Sequence, residues 1–86
     1  MTLEKYVKLR KAVYEYMMEQ DKPISLLDIQ EHIVSHYEGK FTKKMLHQFY
    51  LSRLLDELKL DGKITLADDE YSYTNKGVYY KARKGS

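Results

Sequence analysis

The chain has no cysteine, no tryptophan and a single proline, Pro23, in 86 residues. Without cysteine there is no disulfide framework, and no thiolate can ligate a metal. No apolar run approaches the roughly 20 residues that span a bilayer, and the N-terminus lacks the apolar core of a signal peptide. These absences fit a cytoplasmic protein. Glycine-rich phosphate loops, nucleophile–base pairings and paired carboxylates in apolar surroundings are also missing, so an enzyme is not expected and no cofactor is implied. Charge of one sign is scarce as well. The net charge is +2, too small to imply a polyanionic partner by itself.

What is present describes one folded domain over residues 1–86. Apolar residues make up 43% and charged residues 33% of the chain, an ordinary globular composition that allows one modest core. Basic charge is unevenly placed: residues 23–41 carry a net −2, whereas residues 63–86 carry a net +2. The nine tyrosines can each face a core with the ring and a partner with the hydroxyl, which favours interfaces.

Taken in order, residues 3–19 read as a first helix, with Tyr6, Leu9, Val13, Tyr16 and Met17 on one buried face. A second stripe of Leu3, Val7, Tyr14 and Met18 needs the C-terminal segment or another subunit to cover it. Pro23 ends any helix before it, and Ile24-Ser25 reads as a short extended piece. Ser25-x-x-Asp28 has the form of a capping box opening a second helix to about Tyr37, with Leu26, Ile29 and Ile33 buried. A third helix is expected over about 42–61, N-capped by Thr42 and stopped by Gly62. Leu51, Leu54, Leu55 and Leu58 give its buried stripe. Its opposite face carries Gln48, Ser52 and Arg53, with Lys43 and Lys44 in the first turn. Cations there oppose the helix dipole, and a bound phosphate would relieve the conflict. Met45 and Phe49 fall on the polar side of a straight helix. They either touch thymine methyls or a partner, or are bent into the core beneath the first helix, which is the expectation adopted. After Gly62 the period becomes 2: Ile64 and Leu66 share one face, Tyr71-Ser72-Tyr73 mirrors them, and Asp68-Asp69-Glu70 is the intervening turn. Thr74 then caps a last helix containing Val78, Tyr79, Tyr80 and Ala82.

The spacing Ser52-Arg53-x-Leu55-x-x-Leu58-x-x-x-Gly62-x-Ile64 resembles the recognition helix and first wing strand of winged helix-turn-helix DNA-binding domains. The run from Pro23 to Ile33 is similar to their short strand and second helix, and Tyr71-Ser72-Tyr73-Thr74-x-x-Gly77 to their hairpin exit. The resemblance implies an α+β winged helix: helix, short strand, helix, recognition helix, two-stranded wing and short C-terminal helix. It implies duplex DNA binding through the third helix, as in small transcriptional regulators. Gln48, Ser52 and Arg53 would face the groove, Lys43 and Lys44 would hold phosphate, and Lys63 and Lys76 at the wing base would touch the backbone. A homodimer through Leu3, Val7, Tyr14, Met18, Tyr79 and Tyr80 would set two such helices on half-sites about 34–36 Å apart.

Two features leave alternatives open. The acidic wing tip departs from the family's basic wings and would be repelled by a polyanion. It supports a rival in which a winged-helix module holds a basic protein and has little DNA affinity, and the polar face of the third helix also suits plain solvation. His32 and His36 stand i, i+4 on the second helix, a spacing that can hold zinc. With Glu31 in the wrong order for a metalloprotease motif and no cysteine, no metal site is expected.

Overall fold

The structure, a computed structural model, describes residues 3–83. In chain order the elements are α1 (Leu3–Glu19), β1 (Ile24–Ser25), α2 (Leu26–His36), α3 (Gln48–Leu60), β2 (Ile64–Leu66), α4 (Asp69–Thr74) and β3 (Tyr79–Ala82). The fold is α+β: four helices and one antiparallel sheet in the order β1-β3-β2. Ile24 pairs with Tyr80, and Ile64, Thr65 and Leu66 pair with Ala82, Lys81 and Tyr80.

α1 keeps the expected bounds. Leu9, Ala12, Val13 and Met17 are buried, while Tyr6 and Tyr16 pack half-buried at the edge of the core. The helix lies against α2 and β3, and that packing divides its second stripe. Tyr14 packs partly on the core and takes the Lys63 ammonium 5.6 Å from its ring centroid, whereas Leu3, Val7 and Met18 stay exposed. α2 opens with the capping box in full: the Ser25 hydroxyl accepts from Asp28 N–H, and the Asp28 carboxylate from Ser25 N–H. Ile29 and Ile33 bury its inner side.

The third helix starts six residues later than the sequence predicts, at Gln48 rather than Thr42. Thr42 does cap, but it caps one isolated turn: its hydroxyl accepts from Met45 N–H at 3.3 Å and its carbonyl from Met45 and Leu46 N–H. His47 then adopts extended backbone and caps α3 itself, with Nδ1 accepting from Phe49 N–H. Lys43 and Lys44 therefore lie in a turn ahead of α3 and not in its first turn. Met45 is the reason for the break, since its side chain is fully buried and pins the turn to the core. From Leu51 the expected stripe holds, with Leu51, Leu54, Leu55 and Leu58 all buried. Gly62 ends the helix at φ 75°; Gly62 N–H bonds to Lys59 C=O and Lys63 N–H to Leu58 C=O. That is a Schellman closure. An added Cβ at Gly62 would meet only Arg83, at 3.9 Å, so the dihedral and not the space requires glycine.

The region after β2 also differs from expectation. Asp68-Asp69-Glu70 is no hairpin turn; Asp68 N-caps α4, accepting from Tyr71 N–H at 2.8 Å, and Asp69 and Glu70 fill its first turn. Carboxylates are favoured at that end of a helix, which gives the acidic run a local structural cause. Tyr71-Ser72-Tyr73 is accordingly helical and not a strand. The expected C-terminal helix is the strand β3, because residues 79–82 find hydrogen-bonding edges on both β1 and β2. Tertiary pairing here overrides a weak local preference.

Candidate functional site

The turn at 42–47 and the first half of α3 bring Lys44 and Arg53 together with His47, Phe49 and Tyr50. Three contacts hold this turn: buried Met45, the Thr42 cap, and a bond from Gln30 Nε2 on α2 to Leu46 C=O. Lys43 and Lys44 are exposed on it. One helical turn repeats every 3.6 residues, so Phe49, Ser52, Arg53, Asp56 and Leu60 fall on the side of α3 away from its leucine stripe, whereas Gln48, seven residues before Leu55, is exposed at the stripe's N-terminal end. An open depression of about 410 Å³ is lined by Lys44, His47, Phe49, Tyr50 and Arg53.

Charge is partitioned along this helix. Gln48 to Arg53 contains no acid, while the carboxylates of the second half are engaged within the molecule. Asp56 pairs with Lys59 at 3.7 Å, Glu57 accepts from the Tyr6 hydroxyl at 2.7 Å, and Asp61 pairs with Arg10. Burial first, and then the Glu57 bond, push the Tyr6 hydroxyl above its ordinary value, so it remains a donor. The N-terminal half of α3 is left as the basic, polar end.

Of the expected DNA-contacting residues, Lys44 and Arg53 share the depression. Lys43 and Gln48 are exposed and Ser52 half-buried beside it. Lys63 and Lys76 do not line it. Lys63 lies over Tyr14, and Lys76 follows α4 at φ 52°. His47 and Tyr50 line the depression too, although sequence reasoning did not single them out, and so does Phe49, which it weighed as a thymine or partner contact but placed in the core. Met45 is buried as expected, but Phe49 is not: it is 78% exposed, with its ring stacked on His47 at 5.5 Å and 12°.

Of the residues expected at a dimer interface, Leu3 and Val7 are 77% and 53% exposed near the start of α1, and Met18 is exposed near its end. Tyr14 is half-buried under Lys63. Tyr79 packs edge-on against Tyr71 at 5.3 Å and donates to Asn75 C=O. Tyr80 must be withdrawn as an interface residue: it is 8% exposed, paired to both β1 and β2, and belongs to the core.

The two histidines of α2 form an aromatic column. His32 stacks on Tyr16 at 3.9 Å and on His36 at 4.1 Å. Burial, and then the neighbouring His36, lower the His32 pKa below its ordinary value, with Glu19 opposing. Among the described residues no three His, Asp or Glu side chains gather as a metal site, and no helix is long and apolar enough to cross a membrane. Compared with known proteins, the chain matches no family model, no curated protein and no solved structure.

Proposed function

We propose that the chain is a winged-helix domain that binds duplex DNA sequence-specifically through α3, acting as a small homodimeric transcriptional regulator. The observation that carries this reading is the charge partition of α3: Lys43, Lys44 and Arg53 surround its acid-free start, and the acids of its far end are occupied. A helix entering the major groove by its N-terminal half needs that arrangement, with lysines for phosphate and Arg, Gln and Ser for base edges. The order of helices and the central position of the last strand agree with the proposed fold, and α4 replaces a simple wing turn. Its acidic start keeps the wing tip off the phosphates. Leu3, Val7 and Met18 on α1 supply the apolar surface for the dimer.

A second reading, docking of a protein on α3, is favoured by one observation: Leu60 is 85% exposed on the same face as Phe49. Selection from a random duplex pool separates the two. DNA binding predicts an enriched sequence that the protein prefers over random duplex, with affinity falling as salt rises. No enriched sequence and no salt-dependent duplex binding would overturn the DNA reading.

A further inference from the structure

Phe49 and Leu60 are the large apolar side chains that α3 leaves in water, and Phe49 is the one that lies among cations. Its neighbours in the chain, Met45 and Leu51, are fully buried, yet Phe49 is 78% exposed. A single exposed apolar side chain is ordinary on a protein surface; what sets Phe49 apart is its setting, beside His47 and between two cations. The ring is also held in place. It lies nearly parallel to His47 at 5.5 Å, and His47 is itself fixed as the N-cap by its bond with Phe49 N–H. Lys44 and Arg53 flank it in the same depression. The partner at this point must therefore offer a small apolar group close to anionic groups. The major groove offers that combination at one place, the 5-methyl group of thymine, with phosphates on either side.

We infer that Phe49 is a specificity-determining residue that recognises a thymine through its methyl group. This rests on the DNA-binding reading of α3 and adds the identity of one base. Phe49 and Arg53 are one helical turn apart, about 6 Å between Cβ atoms, and bases stack 3.4 Å apart along a strand. The thymine thus lies within about two base steps of the base that Arg53 contacts, and guanine is the base that arginine pairs best. Acidic protein surfaces carrying a small apolar side chain are the competing occupant, and the test below separates them.

The experiment begins with the duplex selected by the parent protein. Each thymine in it is replaced in turn by deoxyuridine, which removes only the methyl group. Binding is followed by fluorescence anisotropy for the parent, Phe49→Ala and Phe49→Leu, with circular dichroism to confirm folding. One thymine in each half-site should matter: its replacement weakens parent binding about fourfold, the effect of one buried methyl. Phe49→Ala should bind thymine and deoxyuridine at that position equally, and Phe49→Leu should keep part of the difference. If no replacement weakens the parent while it still prefers the selected duplex over random DNA, the inference fails and the DNA reading stands. If Phe49→Ala keeps the full thymine preference, Phe49 is not the reader. Absence of any duplex preference in the parent removes both.

Discussion

Gln30 of α2 donates from Nε2 to the main-chain carbonyl of Leu46 at 2.9 Å. Through this bond the second helix holds the turn that carries Lys43 and Lys44, sixteen residues further along the chain. Gln30→Ala removes the donor and leaves a part-buried carbonyl without it. Stability in urea should fall by about 1 kcal/mol. DNA affinity should fall as well, because the lysines lose their fixed position. Unchanged unfolding would mean that buried Met45 and the Thr42 cap hold the turn without the Gln30 bond.

Lys44 and Arg53 line one depression but have different predicted tasks. Arg53→Ala should cost about 1–3 kcal/mol on a selected duplex and much less on random duplex. Lys44→Ala should weaken both similarly and reduce the salt slope by about one unit. Both side chains are exposed, so circular dichroism should show parent-like folding. Anisotropy across a salt series reads both effects.

Lys76 occupies the position after α4 that usually belongs to glycine. Its N–H bonds to Tyr73 C=O and Gly77 N–H to Ser72 C=O, so the closure matches that of α3, but with lysine at φ 52°. Lys76→Gly should raise stability by about 1 kcal/mol in urea denaturation. A loss of stability would show that the lysine side chain holds more than the strain costs.

The exposed Leu3 and Val7 lie one turn apart on α1. Light scattering should find a dimer at micromolar concentration and a monomer for the double change Leu3→Glu, Val7→Glu. Tyr14 is unsuited to this test because it packs on the core. A folded monomer of the parent chain would end the dimer proposal.

The His32 column makes stability depend on pH. The folded state lowers the His32 pKa through burial and the adjacent His36, so the unfolded chain, titrating near its ordinary value of about 6.5, takes up the proton first. The stabilising contribution is whole above that value and is lost as pH falls through the lower folded value. Thermal melts between pH 7.5 and pH 5 should show the parent losing more stability than His32→Phe, which keeps an aromatic ring between Tyr16 and His36. Equal losses would exclude His32 as the source.

α1 and α2 were readable because period and cap agreed: Leu9, Val13 and Met17 recur at helical spacing, and Ser25 and Asp28 cap each other. The start of α3 was not readable, because Thr42 and His47 are competing caps and only the burial of Met45 separates their turns. Tyr71-Ser72-Tyr73 alternates like a strand, yet Asp68 stabilises a helix start there. Tyr79–Ala82 has no local signal strong enough to reveal its two partner strands. For the site, Lys44 and Arg53 were visible from residue type and face. Their convergence with His47 and Tyr50 depends on the break at His47, which no spacing rule contains.

The central position of β3 sets an order of events during synthesis. Ile24 pairs with Tyr80 and Ile64 with Ala82, so no ladder bond of the sheet can form until residue 79 has been made. While the chain is emerging from the ribosome, β1 and β2 wait with their edges open and the helices above them lack a floor. Pairing across 56 residues, from Ile24 to Tyr80, is a non-local contact of the kind that forms late. Until then neither edge strand has its partner. The last described strand is therefore the piece that joins β1 and β2 into one sheet.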